Sequence, residues 1–472
     1  MIELKEEFVA LVREMLGCEE GAALVAALDS EPVTGVRFNP RKCSDISDIV
    51  AGGLFADGRR VDWCREGLAL GTRPQFTLMP EWHGGLFYVQ EPASMVIGEV
   101  VRRLASRLYQ GDSRLGRGGL RYLDLCAAPG GKTTAALGAL PDDAFVVANE
   151  FVPTRANILC ENLAKWGSPN TAVCCGDTSV FRQMRECFDI VAVDAPCSGE
   201  GMMRKDEEAR RQWSEGLVRQ CAALQREIVN NAWEALRPGG YLIYSTCTFN
   251  RTEDEEMLRY LVDELGGESI DTDIGSDFGV PGSLDPHLHA LRFMPHRTCG
   301  EGLFMGVMRK PGERGISMPK KNKSKGKKSM AQAMPKELPG LIAEPEKYVF
   351  GTGRDGDWRA IAREHLDLVE LLEKNAKVLN AGIRLGTPKG KSFVPDAALA
   401  LSSALAPEAF PSVEIDLETA LAYLRREAIT LPAGTPQGIA LIAYSGIALG
   451  FAKNLGTRAN NMYPQHWRIR HL

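Results

Sequence analysis

The 472-residue sequence has no apolar run of about 18 residues or more, and it begins with a charged, helix-patterned stretch rather than a basic stretch followed by an apolar one. Neither a transmembrane helix nor a secretory leader is therefore expected. The 12 cysteines include no CxxC pair accompanied by a second such pair or by histidines, which argues against a zinc site. We expect a cytoplasmic protein with reduced, mostly buried thiols and no bound metal.

The sequence also lacks the overall positive charge that is common in nucleic-acid-binding proteins, since its formal net charge is −5. Positive charge is nevertheless present locally. Basic residues cluster in one Gly- and Ser-bearing stretch and again at the C-terminus, namely Lys320, Lys321, Lys323, Lys325, Lys327, Lys328, Arg468, Arg470 and His471. We interpret the lysine-rich stretch as a solvated linker, with a dedicated phosphate-binding segment as the alternative.

A chain of this length is too long for one ordinary core, so we expect several domains. Short amphipathic segments and strand fragments, separated by Gly and Pro, predict a small accessory domain over residues 1–80. Residues 81–310 form the predicted catalytic core, residues 311–337 a basic flexible linker, and residues 338–472 a further folded domain.

The core region alternates short runs rich in Val, Ile and Leu with helix-patterned segments, which predicts a parallel sheet covered by helices on both faces. The six predicted strands span residues 122–125, 145–148, 171–174, 189–193, 241–244 and 303–307. Because the carboxyl ends of parallel strands meet at one edge of a sheet, residues that follow these runs should surround one crevice.

A glycine pair follows the first run and precedes an alanine-rich helix, in the string DLCAAPGGKTTAAL that begins at Asp124. Glycine lets the backbone approach a ligand closely, and free amides at a helix start favour a negative group. Two later strands end near Glu150 and Asp177, from which carboxylates can reach the hydroxyls of a ribose and the amino group of an adenine. Each acid alone would more simply cap the next helix, but together they indicate an adenosine-bearing ligand.

A second Gly-x-Gly pattern for a pyrophosphate is absent, which favours S-adenosylmethionine over a nicotinamide cofactor.

Two cysteines follow strands at the same predicted edge: Cys197 in the string DAPCSGEG that begins at Asp194, and Cys247 in STCT that begins at Ser245. Carbon 5 of cytosine becomes nucleophilic when a thiolate adds to carbon 6, and a base must later remove the proton from carbon 5. Two thiols beside a methyl donor fit this reaction, with Asp194 near the ring nitrogen and exocyclic amine of a splayed-out base. For either cysteine alone, a buried inert thiol is the commoner outcome.

A reactive cysteine needs a pKa below its usual value of about 8.5. We expect the positively charged methyl donor and the basic pair Arg204 and Lys205 to lower the pKa of the reactive thiol.

The strings DLCAAPGGKT at Asp124, DAPCSGEGMMRK at Asp194 and YSTCT at Tyr244 resemble the signature motifs of the Nop/Sun family of RNA 5-methylcytosine methyltransferases. The similarity runs from GLFYVQEPASM at Gly85 to GEGLFMGVMRK at Gly300, about half of the chain. It implies an α/β fold whose Rossmann-like, S-adenosylmethionine-dependent methyltransferase core has a mostly parallel seven-stranded sheet. An N-terminal α+β accessory domain and a C-terminal α+β RNA-binding domain would flank this core.

The resemblance also implies roles for individual residues. Cys247 is expected to attack carbon 6 and Cys197 to assist release of the product, an order that spacing alone leaves open because DNA cytosine methyltransferases attack with a Pro-Cys cysteine. The family's cofactor residues map onto Cys126, Ala127, Ala128, Pro129, Gly130, Gly131, Lys132, Glu150, Arg155, Asp177 and Asp194.

The tail GIALGFAKNLGTRANNMYPQHWR, which begins at Gly446, is similar to the C-terminal RNA-binding segment of the bacterial small-subunit ribosomal RNA methyltransferase F group. This similarity implies a PUA-like domain and cytidine in 16S ribosomal RNA of the 30S subunit as the substrate. We expect a monomer with no DNA or membrane partner. Methylation of cytidine in tRNA and a catalytically silent ribosome-assembly factor are the alternatives.

Overall fold

The computed structural model describes residues 2–43, 45–51, 53–111, 119–313, 334–390 and 392–470. The lysine cluster from Lys320 to Lys328 and the C-terminal His471 lie outside these ranges, so the roles expected of them stay predictions. Within the ranges given, no helix is long and apolar enough to cross a membrane.

The N-terminal region contains short helices and a small antiparallel sheet with the strand order β2-β3-β1-β4. Its elements are α1 (Glu6–Leu16), α2 (Cys18–Leu28), β1 (Thr34–Phe38), α3 (Ile46–Ala51), β2 (Arg59–Val61), β3 (Cys64–Leu70), α4 (Pro80–His83) and β4 (Phe87–Val89). Because β4 pairs with β1, this sheet extends past the boundary predicted at residue 80.

Helices α1 and α2 pack on the catalytic region. Their buried residues Phe8 and Leu28 share a hydrophobic cluster with Trp213 and Phe249. The rings of Phe8 and Trp213 meet edge to face with centroids 5.3 Å apart, a geometry that adds about 0.5–1.5 kcal/mol to simple burial. The first two helices are therefore fixed beside the segment that follows Cys247.

The central region builds the large sheet and its covering helices. Its elements are α5 (Val96–Gly111), β5 (Arg121–Asp124), α6 (Gly131–Ala139), β6 (Phe145–Glu150), α7 (Pro153–Trp166), β7 (Thr171–Cys175), β8 (Phe188–Asp194), α8 (Glu207–Gln212), α9 (Glu215–Ala235), β9 (Leu236–Thr246), α10 (Glu255–Asp263), β10 (Glu268–Ser269), α11 (Ile274–Phe278), β11 (Ala290–Phe293) and β12 (Leu303–Arg309). Short 3₁₀ turns lie at Phe76–Leu78, Ala93–Met95, Thr178–Gln183, Glu200–Met202, Leu338–Leu341, Pro345–Lys347 and Arg363–His365.

The large sheet has the order β10-β12-β9-β8-β5-β6-β7-β15, with β11 also paired to β12. The five strands from β9 to β7 are parallel, and the flanking strands are antiparallel. The predicted α/β architecture with a mostly parallel sheet is confirmed, but the sheet has nine strands in the described chain rather than seven. Three of these strands, β10, β11 and β15, lie outside the six predicted runs, and each is short and pairs antiparallel with its neighbour.

Both faces of the sheet are buried, which explains why its strands are continuous apolar runs. Tyr122 and Val146 lie in one hydrophobic cluster, whereas their chain neighbours Leu123 and Val147 lie in another. Successive side chains of a strand point to opposite faces, so helices on each face are needed to cover them.

Local sequence signals set the starts of two covering helices. Ser214 caps α9, since its hydroxyl accepts a hydrogen bond from the backbone nitrogen of Leu217 at 3.1 Å. Pro153 occupies the first turn of α7, where the missing backbone donor has no intrahelical partner to lose.

The C-terminal region forms two further four-stranded sheets, ordered β13-β14-β16-β17 and β18-β19-β20-β21. Its elements are β13 (Tyr348–Thr352), β14 (Trp358–Ala362), α12 (Leu366–Asn375), β15 (Val378–Ala381), β16 (Ile383–Lys389), β17 (Ser392–Pro395), α13 (Ala397–Leu401), β18 (Ser412–Glu414), α14 (Leu417–Leu424), β19 (Gly438–Tyr444), β20 (Ile447–Asn454) and β21 (Ala459–Asn461).

One strand of this region, β15, extends the catalytic sheet by pairing antiparallel with β7. The backbone nitrogen of Cys175, at the end of β7, donates to the carbonyl of Lys377 at 2.9 Å. Leu368 and Leu372 of α12 are buried in the same hydrophobic cluster as one face of the sheet. Part of the predicted third domain is thus built into the catalytic core.

Candidate active site

The parallel strands bring the sequence-predicted residues to one edge of the sheet. The residues at or just beyond the ends of these strands are Asp124 on β5, Glu150 on β6, Asp177 after β7, Asp194 on β8 and Cys247 after β9. This is the carboxyl edge, where open α/β sheets bind their ligands.

The loop from Cys126 to Lys132 joins β5 to α6 along this edge. Gly130 adopts a φ of +111°, a backbone conformation that favours glycine, and it precedes the first residue of α6. The carbonyl of Ala128 accepts a hydrogen bond from Arg155 Nη2 at 2.7 Å, and the carbonyl of Pro129 accepts one from Asn162 at 2.7 Å. Helix α7 therefore holds the loop from outside.

The two predicted adenosine-binding acids differ in their surroundings. Glu150 is buried, accepts a hydrogen bond from the backbone nitrogen of Val152 at 2.9 Å, and lies 3.6 Å from Arg155 Nη1. Asp177 caps the following 3₁₀ turn by accepting from the backbone nitrogen of Ser179 at 2.8 Å. Hydrogen bonds from Ser179 lower the pKa of Asp177, so this carboxylate is ionised near neutral pH.

Buried acceptors at this edge lack hydrogen-bond partners in the part of the chain that the structure describes. They are Asp124 Oδ1 and Asn149 Oδ1, on neighbouring strands. The other oxygen of Asp124 accepts from Thr133 at 2.7 Å, and the amide nitrogen of Asn149 bridges the carbonyls of Leu125 and Gly176. A ligand with a cationic or donor-bearing end fits such acceptors, so the edge fits S-adenosylmethionine.

The two predicted cysteines meet in the structure, with 3.2 Å between Cys197 Sγ and Cys247 Sγ. Their hydrogen bond and their burial raise the pKa of the Cys197 thiol well above its usual range. Cys197 is therefore protonated near neutral pH and can donate a hydrogen bond to the sulfur of Cys247.

Asp194 links the cysteine pair to the glycine loop. Its Oδ2 accepts from Lys132 Nζ at 2.8 Å and its Oδ1 accepts from the hydroxyl of Ser245 at 2.9 Å. Burial lowers the pKa of Lys132, but the ion pair with Asp194 outweighs it and the net shift is upward. Lys132 is thus a permanent cation beside Cys247, with which it interacts electrostatically.

The expectation that Arg204 activates a cysteine is corrected by its contacts, whereas the same expectation for Lys205 stays a prediction. The guanidinium of Arg204 donates to the hydroxyl of Ser30 at 2.8 Å and to the carbonyl of Gly300 at 3.2 Å, so it ties the N-terminal region to a core loop. Lys132 supplies the positive charge at the cysteines instead.

Sequence reasoning missed a buried polar cluster behind the Cys197 loop, formed mainly by Glu253, Gln225, Asn250 and Glu200. Glu253 and Glu200 lie in charged stretches that resemble solvated helix starts, and Gln225 lies in the middle of α9. Their proximity in sequence to Cys197 or Cys247 was the only available signal, and it does not distinguish a buried acid from an exposed one.

A Rossmann-like sheet with a glycine loop and two thiols at the carboxyl ends of its parallel strands defines a methyltransferase that uses S-adenosylmethionine. Three family models match the chain: the one described as 16S rRNA methyltransferase RsmB/F over residues 117–309, the N-terminal domain of 16S rRNA methyltransferase RsmF over residues 4–92, and the methyltransferase RsmF PUA domain over residues 410–469. The chain belongs to the ribosomal RNA small subunit methyltransferase F family. The predicted family resemblance and the predicted cofactor are confirmed, and so is the broader prediction that the protein is a methyltransferase.

Similar curated proteins carry the name ribosomal RNA small subunit methyltransferase F. The protein from Erwinia tasmaniensis is 32% identical, with coverage of 86% of this chain and 84% of that protein. The protein from Enterobacter sp. (strain 638) is 31% identical, with coverage of 98% and 95%.

Two solved structures from Pyrococcus horikoshii share the fold. A methyltransferase homologue protein has 24% identity and a TM-score of 0.53, and the match covers 65% of this chain and 95% of that one. NSun6 has 18% identity and a TM-score of 0.53, with coverage of 66% and 99%.

Proposed function

We propose that this protein methylates carbon 5 of cytidine in 16S ribosomal RNA through a covalent cysteine adduct. The observation that carries the proposal is the 3.2 Å distance between Cys197 Sγ and Cys247 Sγ, beside a methyl-donor crevice. One thiol is sufficient for attack, so a second thiol at this distance fits a reaction that also needs a separate release step. The names of its relatives favour 16S ribosomal RNA over tRNA as the substrate.

We assign the cofactor residues by their place around the crevice. The loop residues Cys126 to Lys132 would lie along the methyl donor, with Arg155 supporting the carbonyl of Ala128. Glu150 would accept from the ribose hydroxyls, and the free oxygen of Asp177 would face the adenine amino group. S-adenosylmethionine, when bound, supplies the methyl group that carbon 5 takes up.

In the first step, the Cys247 thiolate adds to carbon 6 of the cytosine and forms a carbon–sulfur bond. The electron pair of the double bond between carbons 5 and 6 shifts toward carbon 5, which becomes nucleophilic, and N3 takes up a proton from solvent that it holds until the product is released. Asp194, whose two carboxylate oxygens accept hydrogen bonds from Lys132 and Ser245, would lie beside that region of the ring.

In the second step, Cys197 removes the proton from carbon 5. Bond formation at Cys247 removes the negative sulfur that keeps the proton on Cys197, so the pKa of Cys197 falls once the adduct exists. The Cys197 thiol then loses its proton to solvent, and the resulting thiolate takes the carbon 5 proton. The electron pair of that carbon–hydrogen bond forms the double bond between carbons 5 and 6, the bond between Cys247 and carbon 6 breaks, and N3 releases its proton, so the aromatic ring is restored.

The remaining assignments follow from the family and from the fold. We propose that the accessory domain predicted over residues 1–80 extends through β4 and that residues 311–337 link the core to the C-terminal region. We also propose that residues 338–472 form a PUA-like RNA-binding domain, apart from α12 and β15, which pack with the core sheet. We further propose a monomeric, cytoplasmic protein that acts on the RNA within the 30S subunit.

The cysteine roles are tested by substitution. With small-subunit RNA and S-adenosylmethionine, Cys197→Ala should accumulate a protein–RNA adduct that resists denaturation, because attack proceeds and release fails. Cys247→Ala should form no adduct and should transfer no methyl group. Gel electrophoresis under denaturing conditions and mass spectrometry of RNA nucleosides measure the two outcomes.

Cys221→Ala is the matched control, since Cys221 lies on α9 near the pair without a role in either step. An adduct with Cys247→Ala in place of Cys197→Ala would reverse the assigned order. Absence of methyl transfer by the wild type to any bacterial RNA would instead favour the silent assembly factor.

A further inference from the structure

Charges of opposite sign lie near the two active-site sulfurs. Lys132, bonded to Asp194, interacts electrostatically with Cys247. Glu253 lies on the other side, where its carboxylate bonds to Ser198, the residue that follows Cys197. The two thiols are chemically identical, so the charges around them must determine which sulfur keeps the shared proton.

Glu253 is fully buried, and its carboxylate is held by neutral donors. It accepts from the backbone nitrogen of Ser198 at 3.0 Å, from the Ser198 hydroxyl, from Gln225 Nε2 at 2.8 Å and from Asn250 Nδ2 at 2.9 Å. All four of these donors are neutral, so none of them compensates the charge of the carboxylate. The charge therefore acts on nearby groups through a medium of low dielectric constant.

The same cluster fixes the backbone on both sides of Cys197. Gln225 Nε2 donates to the carbonyl of Pro196 at 3.0 Å as well as to Glu253, and Glu253 accepts from the nitrogen of Ser198. The hydroxyl of Tyr244 donates to the carbonyl of Glu253 at 2.7 Å. Glu253 is thus rigidly placed with respect to the Cys197 sulfur.

We propose that Glu253 is a positioning residue that decides which sulfur carries the shared proton: its buried negative charge favours the thiol at Cys197 and leaves the thiolate at Cys247. This inference rests on the proposed roles of the two cysteines. It explains why Cys197 does not itself attack carbon 6, although its sulfur lies at the same edge of the sheet and 3.2 Å from that of Cys247.

The other charged and titratable groups around the pair are consistent with this role. They are Tyr244 on β9, Asp194 on β8, Lys132 on α6, Cys221 on α9 and Glu200 in the loop after Cys197. After the hydrogen bond with Cys247, burial and the charge of Cys247, the charge of Glu253 also raises the pKa of Cys197. Lys132 is the cation of this group, and its charge favours a thiolate at Cys247.

Glu253→Gln tests the inference in the full-length protein without RNA. The variant keeps the size of the side chain and removes its charge, so the pKa of Cys197 should fall and its thiolate should become more abundant. Iodoacetamide alkylation at several pH values, followed by peptide mass spectrometry, gives the rates at Cys197 and Cys247 separately. Near neutral pH the ratio of the Cys197 rate to the Cys247 rate should rise about tenfold, the effect of a shift of about one pH unit.

Glu255→Gln is the matched control, because Glu255 is also buried but pairs with Arg292 and not with the Cys197 loop. Its ratio should match the wild type. A folded Glu253→Gln protein with an unchanged ratio would overturn the inference. Because alkylation needs no RNA, this failure is distinct from failure of the proposed methylation.

Ser198→Ala keeps the inference testable if Glu253→Gln does not fold. It removes the hydroxyl that anchors the loop to Glu253 and leaves the charge in place, so the alkylation ratio should not rise. Turnover of RNA should fall several-fold at unchanged KM for RNA, because the Cys197 sulfur is less well placed for proton removal. Wild-type turnover in Ser198→Ala would contradict the positioning role of Glu253.

Discussion

Asp124, at the end of β5, shows how burial sets the state of a single side chain in this site. One of its oxygens accepts from Thr133, and the other has no partner among the described residues. Burial raises the pKa of Asp124 from 3.8 to about 7, and the neighbouring charge of Asp194 adds to the shift. The folded protein therefore favours the protonated carboxyl group, whereas the unfolded chain ionises it at much lower pH.

This difference predicts a pH-dependent stability. Between pH 3.8 and about pH 7 the folded chain holds a proton at Asp124 that the unfolded chain has lost, so the free energy of unfolding falls as pH rises through that window. Asp124→Asn removes this loss. The stability of the variant relative to the wild type should therefore increase with pH, by on the order of 2–4 kcal/mol from pH 5 to pH 8. Urea unfolding without S-adenosylmethionine measures this difference in the free energy of unfolding. A pH-independent difference would assign the destabilisation to another group.

The site residues that the sequence could predict are those whose neighbours in sequence indicate their position in the fold. Cys197 and Cys247 follow apolar strands and stand in distinctive strings, so their edge position could be inferred. Glu253 could not be found in this way, because its role depends on contact with Ser198 across 55 residues of chain. The same applies to the cation that interacts electrostatically with Cys247. It is Lys132 of the glycine loop, although Arg204 is closer to Cys197 in sequence.

At the scale of elements, the strands that could be predicted are those buried on both faces. Their apolar runs can be recognised in the sequence without knowing which strands pair, and all six runs overlap observed strands. β10 has two residues and β15 has four, so neither carries a pattern that exceeds chance. β15 also joins the sheet from beyond residue 334, a pairing that only the folded chain defines.

An element of the N-terminal sheet supports the glycine loop. Arg37 on β1 is buried, and its guanidinium donates to the carbonyl of Gly131 at 3.2 Å and to the hydroxyl of Thr134 at 2.7 Å. The same group stacks over the ring of Trp166 at 4.6 Å. These contacts connect β1 to the first turn of α6.

Arg37→Met should therefore weaken binding of S-adenosylmethionine about tenfold, since hydrogen bonds from a charged group contribute about 1.5–3 kcal/mol and only part of this reaches the ligand. Isothermal titration calorimetry measures the change. Arg41→Met is the control, because Arg41 bonds to the exposed Asp142 instead of the loop. Equal affinities for Arg37→Met and the wild type would show that the loop holds its shape without β1.

At the scale of the whole molecule, three regions meet around the C-terminal tail. His83 of α4 lies 3.0 Å from the hydroxyl of Tyr463, and Lys165 of α7 lies over the ring of Trp467 at 5.5 Å. The aromatic residues of the tail are therefore buried structural contacts. Its basic residues Lys453, Arg458, Arg468 and Arg470 are exposed, and these remain suited to RNA phosphates.

Arg458→Ala and Arg468→Ala should each weaken binding to small-subunit RNA and reduce the salt dependence of the dissociation constant by about one phosphate contact. Affinity for S-adenosylmethionine should stay unchanged, because the substitutions are remote from the crevice. Filter binding at several salt concentrations measures the slope. Arg185→Ala, at an exposed position before β8, serves as the control and should keep the wild-type slope. If both tail variants keep the wild-type salt dependence of the dissociation constant, RNA does not bind at Arg458 and Arg468.

The pairing of β15 with β7 also affects the tendency of a truncated enzyme to self-associate. Residues 1–313 contain all the chemistry but leave β7 as an open strand edge, with its backbone groups available to other molecules. Such an isolated core would tend to self-associate by strand addition. The C-terminal region thus covers a strand edge of the catalytic sheet that would otherwise be open to pairing with a second molecule.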